Sequence, residues 1–286
     1  MIRAFHHSNF PQELLRERKR ESVTVVLPAR EVADTIGPIV EGLQGLGDLV
    51  DQLLVVDAAS DDGSGELARG LGAEVVQEAD LLPGFGPVQG KGDAMWRALS
   101  AARGELIAYL DSDTRRFSEH FARGLLGPLV CHPELSFVKG GFRRPFTTPD
   151  GVEHPEGGGR VNELTARPLL RAFYPELVEI AQPLSGEVAA RRELLHRLPF
   201  ATGYSVEMSM LLNALAELGG TDGMAQVGLD VRFNRHQPLS ALGPMASAVA
   251  AAVFRRLQED GRLDRGEAAG QGVVERPPFA SLHAHA

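Results

Sequence analysis

The chain has 286 residues, of which 43% are hydrophobic, with a formal net charge of −9 and one cysteine. This length suits one large α/β domain, or one domain with an appendage, and the hydrophobic fraction is sufficient for a sizeable core. The negative charge argues against general binding to nucleic acid or to an anionic membrane, and the lone Cys131 excludes an internal disulfide, as is typical of a reducing compartment. Because the N-terminus lacks an apolar signal segment and no apolar run is long enough to span a bilayer, we expect a cytoplasmic protein.

The first 22 residues are predicted to form an N-terminal arm. Their adjacent His6 and His7 offer two imidazoles to a metal. Adjacent histidines in a polar segment are usually just exposed to solvent, and we interpret this pair in that way.

Strand and helix patterns alternate through the rest of the chain. Strands are predicted at 23–27, 53–56, 74–76, 106–110, 135–139 and 226–233. Helices are predicted from about Asp34 to Leu43, from Ser64 to Leu71, after Lys91, from Ser118 to Leu129, from Glu207 to Leu218 and from Met245 to Leu257. The β-α-β-α-β order at the start implies a parallel sheet with right-handed crossovers.

A glycine-rich loop spans residues 82–92 and opens a helix. Glycines allow the backbone to approach a ligand closely, and Lys91 lies near a helix N-terminus, where anions are favoured. The loop is not a P-loop, because Gly92 stands where that motif requires serine or threonine after the lysine.

Two carboxylates, Asp111 and Asp113, end the apolar strand at 106–110. Ligand sites of parallel α/β sheets lie at the carboxyl ends of strands, so this pair suggests a divalent cation that holds a phosphate-bearing ligand. The alternative is a solvated Asp-Ser-Asp turn that caps the next helix. Asp57 after the second strand, Lys91 in the glycine loop and a late strand with Arg232 favour the first interpretation. Such a cation would neutralise leaving-group charge as a glycosyl–phosphate bond breaks.

The composition changes after about residue 145. Residues 147–159 form a polar loop rich in glycine and proline, and an amphipathic helix is predicted at 160–172 with a kink or break at Pro168. On the late strand, Arg232, Asn234 and His236 would share one face.

The chain resembles the nucleotide-sugar half of a GT-A glycosyltransferase in four early motifs: Leu27-Pro28-Ala29, Asp57-x-x-Ser60, Gly90-Lys91-Gly92-x-Ala94-x-Trp96 and Asp111-Ser112-Asp113. Three later motifs are similar to the glucosyl-3-phosphoglycerate synthase family, which includes a mannosyl-3-phosphoglycerate synthase branch: Gly159-Arg160-Val161-x-Glu163-Leu164-x-Ala166-Arg167-Pro168-Leu169-Leu170, Gln182-Pro183-Leu184-x-Gly186-Glu187 and Pro199-Phe200-Ala201-x-Gly203-Tyr204-x-Val206-Glu207.

The resemblance implies a GT-A, Rossmann-like mixed sheet with helices on both faces. It implies a nucleotide-sugar-binding half at 23–145 and an acceptor-binding half of the same domain at 146–260. An N-terminal arm at 1–22 and a flexible C-terminal tail at 261–286 would flank them. The implied reaction is a retaining transfer of a hexose, with glucose favoured, from a nucleoside-diphosphate sugar to the 2-hydroxyl of 3-phosphoglycerate. The alternative is transfer of mannose from GDP-mannose, or dual specificity for glucose and mannose. A homodimer is also implied.

The resemblance also implies site residues. The donor would contact Pro28, Ala29, Glu31, Ser60, Lys91, Asp111 and Ser112. The acceptor's phosphate and carboxylate would contact Gly159, Arg160, Asn162 and His236. The metal, Mg²⁺ or Mn²⁺, would bind Asp113, with Asn234 or His236 as a further ligand. The catalytic set would be Asp113, the Leu184 carbonyl near the attacking hydroxyl, Glu207 on the hexose hydroxyls and Arg232 on the donor phosphates.

Three positions depart from the family pattern. Glu31 and Val32 replace an Asn-Glu pair, so a nucleotide-contacting carboxylate has moved or is missing. Asn162 stands where threonine is usual. Asn234-x-His236 replaces His-x-Asn, so the metal and acceptor roles are exchanged or the metal loses its nitrogen ligand; an asparagine oxygen also suits Mg²⁺.

Two other functions and two mechanisms stay open. A nucleotidyltransferase would need a glycine-rich loop directly after the first strand, which Leu27-Pro28-Ala29-Arg30-Glu31 lacks. A protein that binds a sugar nucleotide without turnover is disfavoured by the intact acidic and basic residues. Retention uses either a carboxylate nucleophile, for which Glu207 is the nearby acid, or attack on the leaving-group face with the departing phosphate as base. We prefer the second mechanism.

Overall fold

The computed structural model describes residues 1–147, 153–155, 158–233, 238–263 and 274–285. The strands are β1 (Arg3–His6), β2 (Val23–Ala29), β3 (Gln52–Asp57), β4 (Glu74–Gln77), β5 (Leu106–Tyr109), β6 (Phe137–Arg143), β7 (Phe146–Thr147), β8 (Glu153–His154), β9 (Val188–Arg191), β10 (Phe200–Ala201), β11 (Met224–Val231) and β12 (Glu275–Arg276). The α-helices are α1 (Gln12–Arg18), α2 (Ala33–Gln44), α3 (Ser64–Gly70), α4 (Lys91–Ala98), α5 (His120–Cys131), α6 (Arg167–Phe173), α7 (Arg192–Arg197), α8 (Val206–Leu218) and α9 (Leu239–Glu259).

Eight strands form one mixed sheet in the order β1-β11-β6-β9-β5-β2-β3-β4. Every pairing in it is parallel except the two made by β9, which runs antiparallel between β5 and β6. The carboxyl ends of the parallel strands therefore share one edge of the sheet with the start of β9. The predicted mixed α/β fold is confirmed, and this edge is where its functional residues are expected.

Helices cover both faces of the sheet, and each face has its own apolar core. One core includes Trp96, Phe137 and Met208, and the other includes Val25, Ile36 and Phe121. The β5 strand is buried on both faces, as its continuous run of apolar residues predicts.

The N-terminal residues are part of the sheet, so the predicted arm at 1–22 is wrong. The β1 strand pairs in parallel with β11, and the burial of Ile2, Phe10 and Leu15 anchors the segment to the domain. The predicted arm rested on the polar composition of the segment, which did not reveal that these three apolar side chains are nevertheless buried.

The C-terminal residues 274–282 are also packed against the domain, which corrects the predicted flexible tail at 261–286 over that part. The β12 strand pairs antiparallel with β10, and Phe279 is buried against Trp96. The indole nitrogen of Trp96 donates to the Pro277 carbonyl at 2.9 Å, and Arg276 makes two 2.7 Å bonds to the fully buried carboxylate of Asp93. The boundary near residue 145 between the two halves stays a prediction.

The predicted helix at 160–172 is interrupted close to the predicted place. A π-helical turn spans Asn162–Ala166, and α6 begins at Arg167 with Pro168 in its first turn. Proline lacks the amide hydrogen that the preceding helical turn would use, so the helical hydrogen-bond pattern changes there. Among the described residues, the helices are all too short or too polar to serve as membrane spans.

Candidate active site

The acidic pair follows β5 at the carboxyl edge of the sheet, as predicted. The Asp111 side chain is 16% exposed, whereas that of Asp113 is 48% exposed. The hydroxyl of Ser112, the residue between them, donates to the Pro28 carbonyl. The backbone carbonyl of Ser112 accepts a 2.7 Å hydrogen bond from the Thr35 hydroxyl. The turn is therefore fixed to β2 and α2, with Asp113 towards solvent and Asp111 inside.

Lys91 joins the glycine loop to this acidic edge. Its Nζ donates to Asp111 Oδ1 and, at 2.8 Å, to Glu207 Oε1 at the start of α8. Burial opposes the charge on Lys91, but the two carboxylates outweigh it and raise the pKa of the lysine above its ordinary value. The structure thus brings together Lys91, Asp111 and Glu207, which are far apart in the chain and which were predicted to share one site.

The buried guanidinium of Arg232 lies on the other side of Asp111. Its Nη1 is 2.7 Å from Asp111 Oδ2 and its Nη2 donates to Asp113 Oδ1 at 2.7 Å. A third carboxylate, that of Glu187, lies 3.2 Å away. Burial raises the pKa of Glu187 even though Arg232 opposes the rise, and the negative charge of Asp111 adds to the effect of burial.

The loop that precedes β9 is held tightly against the acidic edge. Gly186 leaves no room for a side chain, because an added Cβ would lie 2.1 Å from Asp111 Oδ1. The hydroxyl of Ser185 donates to Glu187 Oε2 at 2.9 Å, and the buried Lys139 Nζ donates to the Ser185 carbonyl. The backbone around Leu184 is therefore fixed on both sides.

The residues expected to bind the acceptor lie beside this loop. The side chain of Asn162 is buried and bonds to the Ala181 carbonyl at 3.3 Å, and its oxygen is 3.5 Å from the amide nitrogen of Leu184. Gly159 has a φ of +73°, which favours glycine. The Arg160 guanidinium stacks over the Phe146 ring at 5.3 Å.

Arg144 belongs to the same region and was not predicted. Its Nε is buried without a hydrogen-bond partner in the part of the chain that the structure describes. Burial lowers the pKa of Arg144, and the charge of Arg232 adds to that effect. A buried guanidinium nitrogen without a partner is a donor that an anionic ligand can satisfy.

The residues expected to contact the donor lie along the ends of β2 and β3. The Ser60 hydroxyl accepts from the Glu31 amide at 3.0 Å and donates to Asp57 Oδ1 at 2.7 Å. Glu31 has a φ of +50°, and its carboxylate accepts from the Asp61 amide at 2.9 Å. The carboxylate of Glu31 thus binds the loop after β3, and Pro28 and Ala29 end β2 beside it.

Two predicted residues, Asn234 and His236, lie outside the described residues. The chain leading to them is tied to the acidic edge, since the Arg115 amide donates to the Phe233 carbonyl at 2.8 Å and the Arg116 guanidinium lies 4.6 Å from the Phe233 ring centre.

Several residues of this edge were missed as site residues. Glu187 appears in a quoted motif but was given no role, and Lys139, Arg144 and Ser185 carry no local signal in the sequence. Their position at this edge follows only from the order of the strands in the sheet.

The exposed carboxylate of Asp113 fits a hard divalent cation. One oxygen is engaged by Arg232, and the half-exposed side chain leaves the carboxylate accessible from solvent. Carboxylate oxygens are the ligands that Mg²⁺ prefers in proteins.

Comparisons with known proteins place this arrangement in context. The family model "Glycosyl transferase family 2" matches residues 24–154. A glucosyl-3-phosphoglycerate synthase from Mycolicibacterium smegmatis is 45% identical over 274 residues, which cover 91% of this chain and 90% of that protein.

Two solved structures are similar over nearly the whole chain. The mannosyl-3-phosphoglycerate synthase from Rubrobacter xylanophilus has a TM-score of 0.89 and 43% identity, covering 98% of this chain and 97% of its own. The glucosyl-3-phosphoglycerate synthase from Mycobacterium tuberculosis in complex with Mn²⁺, UDP-glucose and phosphoglyceric acid has a TM-score of 0.85 and 38% identity, covering 98% and 99%. A further structure of that enzyme contains Mg²⁺ and UDP.

Proposed function

Because the chain belongs to the glucosyl-3-phosphoglycerate synthase family, a family of metal-dependent glycosyltransferases with the GT-A fold, we propose that it transfers glucose from a nucleoside-diphosphate sugar to the 2-hydroxyl of 3-phosphoglycerate with retention. The observation that carries the proposal is the position of the cations. In a chain with a net charge of −9, Lys91, Arg144 and Arg232 are buried or half-buried together at the acidic edge. Both substrates of this reaction are anionic.

The donor is proposed to lie across the ends of β2, β3 and β5. Pro28, Ala29, Glu31 and Ser60 form its nucleotide side, and Asp111 and Ser112 close it. Lys91 stands between the nucleotide and the hexose, where its contact with Glu207 positions that carboxylate for the hexose hydroxyls.

The acceptor is proposed to bind between the Gly159 turn and the loop before β9. Arg160 and Asn162 take its phosphate and carboxylate, and the unpartnered Nε of Arg144 donates to the same anion. A guanidinium is suited to this task because it presents several donors in one plane and keeps its charge.

The metal is proposed to bind Asp113, with Asn234 or His236 as a further ligand. When bound, Mg²⁺ or Mn²⁺ supplies positive charge to the diphosphate leaving group. Arg232 supplies a second, permanent charge at the same place, since its Nη2 is 2.7 Å from Asp113 Oδ1. Which of the two later residues ligates the metal and which contacts the acceptor stays a prediction.

The ion pair of Glu207 supports attack from the leaving-group face over a covalent intermediate. Its carboxylate accepts a 2.8 Å hydrogen bond from the Lys91 ammonium, which makes it a weaker nucleophile. Instead, the backbone carbonyl of Leu184 orients the acceptor hydroxyl, because Lys139 and Asn162 hold the loop that contains Leu184. Chemical rescue of Glu207→Ala by azide distinguishes the two routes, because only a vacated nucleophile position yields a glycosyl azide of inverted configuration.

A donor panel tests the proposed function directly. UDP-glucose, GDP-glucose and GDP-mannose are each incubated with Mg²⁺, with and without 3-phosphoglycerate, and the release of nucleoside diphosphate is measured. We expect release only when 3-phosphoglycerate is present, fastest with a glucose donor. Binding of donor without release under any condition would favour a sugar-nucleotide-binding protein and contradict the proposal.

The mannosyl activity is the second candidate function, because the structure from Rubrobacter xylanophilus matches this chain with a TM-score of 0.89. Faster release from GDP-mannose than from both glucose donors would support it. The homodimer and the cytoplasmic location stay predictions, and light scattering after gel filtration measures the first.

A further inference from the structure

Two histidines and an aspartate meet at the outer edge of the sheet, on β1, the residue after it and β11. His6 Nε2 lies 3.1 Å from Asp230 Oδ1, and His7 Nε2 lies 2.7 Å from Asp230 Oδ2. The possible ligand atoms of the three residues all lie within 4.8 Å of one another. Within the described ranges, this is the one such group of at least three His, Cys, Asp or Glu side chains.

The backbone at this edge is irregular in a way that brings the three residues together. His6 pairs with Gly228, and the register between β11 and β6 shifts between Gly228 and Val231. Asp230 lies inside that irregularity with a φ of +61°, which is uncommon for a residue with a side chain. In a regular strand, the carboxylate of Asp230 would not contact both the His6 and the His7 imidazole.

Two glycines leave room for the imidazoles. A Cβ on residue 228 would lie 3.2 Å from Cδ2 of His6, and a Cβ on residue 124 would lie 2.9 Å from Cβ of His7. The His7 ring is also 4.3 Å from that of His120, whose Nε2 contacts the Leu229 carbonyl at 3.2 Å. The histidines are thus packed into the edge of the sheet, and the side chain of His7 is only 15% exposed.

The spacing of the three residues suits a metal ion. Two metal–ligand bonds of about 2.0–2.1 Å at a tetrahedral angle hold their ligand atoms about 3.3 Å apart. The two hydrogen bonds of 3.1 and 2.7 Å found here would lengthen by less than about 1 Å to admit an ion. His6 Nδ1 lies 2.7 Å from the Ser8 hydroxyl, so the second nitrogen of that ring has the partner that metal-binding histidines usually have. His7 Nδ1 is buried without a partner among the described residues.

We propose that the Nε2 atoms of His6 and His7 and the carboxylate of Asp230 form a binding site for a divalent late transition-metal ion such as Zn²⁺. The site differs in chemistry from the acidic edge, because two imidazoles favour Zn²⁺ whereas carboxylate oxygens favour Mg²⁺. A bound ion ties the start of the chain to β11, the strand that leads to Arg232.

Calorimetric titration of the full-length protein with Zn²⁺ in excess Mg²⁺ tests the proposal. The variants are Asp230→Asn, which keeps a residue that tolerates the positive φ, and His6→Gln, whose side chain is 48% exposed in the wild type. We expect one Zn²⁺ per wild-type chain. Since loss of a residue behind a ligand already weakens metal binding by about 10–100-fold, each variant should bind Zn²⁺ at least about tenfold more weakly.

Two matched controls guard against nonspecific binding. His132→Gln removes another histidine near β1, which contacts Arg3 at 2.9 Å, and Asp222→Asn removes an exposed carboxylate elsewhere. Both should bind Zn²⁺ like the wild type. Equal affinity in the wild type, Asp230→Asn and His6→Gln would overturn the proposal, as would complete displacement of Zn²⁺ by Mg²⁺.

Discussion

Gly186 lies against the carboxylate of Asp111 so closely that a β-carbon at position 186 would fall 2.1 Å from Asp111 Oδ1. The same carboxylate is held by Lys91 and by Arg232. Asp111 is therefore confined on three sides, and the loop before β9 fixes its position as much as the two cations do.

The first prediction is that Gly186→Ala inactivates the enzyme. The added methyl group pushes Asp111 away from Lys91 and Arg232, and a displacement of about 1 Å in an active site lowers turnover by about 100-fold. Gly141→Ala is the control, because a Cβ there makes an ordinary 3.5 Å contact with Ala181. Steady-state kinetics of both variants check this; equal kcat values would contradict the packing argument.

The second prediction is that Asp113→Ala loses metal-dependent turnover while the fold persists. We expect kcat to fall by about 10³-fold, since charge stabilisation of the leaving group is lost. The free energy of unfolding should change by less than about 1 kcal/mol, because the side chain is half-exposed and Arg232 keeps two other carboxylates. EDTA should likewise stop the wild type without unfolding it. Asp222→Ala, at an exposed site, serves as the control.

The third prediction concerns recognition of the acceptor. Arg144→Met and Arg160→Ala should each raise the KM for 3-phosphoglycerate by about tenfold or more, because each removes a charged donor to an anion. The KM for the donor should stay nearly constant. Arg143→Met, at the exposed neighbouring position, is the matched control. A larger effect on the donor than on the acceptor would move the acceptor site elsewhere.

The fourth prediction is a pH dependence of stability caused by Lys139. Burial lowers the pKa of this lysine to about 8 in the folded chain, from 10.5 for an ordinary lysine. Between these two pH values the unfolded chain binds a proton that the folded chain does not, so the stability that Lys139 contributes rises with pH. Relative to Lys139→Met, the wild type should gain about 2 kcal/mol from about pH 7.5 to about pH 9.5.

Urea denaturation of both proteins at the two pH values measures that difference. Titration of other groups affects both proteins alike and cancels. If the stability of the wild type relative to Lys139→Met falls as the pH rises, Lys139 binds its proton more tightly in the folded chain than in the unfolded chain. That result would contradict the effect expected from burial.

The fifth prediction is that the C-terminal segment is needed for stability. Arg276→Met leaves the fully buried Asp93 with Arg97 as its remaining cation, and removing one partner of a buried ion pair costs about 3 kcal/mol or more. Arg197→Met, which loses partly exposed ion pairs, should cost about 1 kcal/mol or less. Similar unfolding free energies for the two variants would show that residues 274–285 contribute little.

The central strands and the acidic edge could be predicted from the sequence, because long apolar runs that end in carboxylates are local signals. Glu187 lies at that edge for a reason that is not local. The β9 strand is antiparallel, so its start, and not its end, meets the carboxyl ends of its neighbours. A search along the ends of predicted strands therefore passes over Glu187 and Ser185.

The two ends of the chain were predicted as an arm and a flexible tail for a related reason. The β1 strand has four residues and β12 has two, too few for any periodicity to be visible. Their partners are β11 and β10, which are distant in the sequence. Such pairings depend on the assembled sheet and are not visible in the segments themselves.

The pairing of both termini with distant strands has a consequence for synthesis. Residues 3–6 are made before their strand partner at 224–231, which follows more than two hundred residues later. Residues 275–276, which pair with β10, are made later still. Nascent chains halted before β11 should therefore expose an unpaired sheet edge, and both pairings can form only after residue 276 has been made.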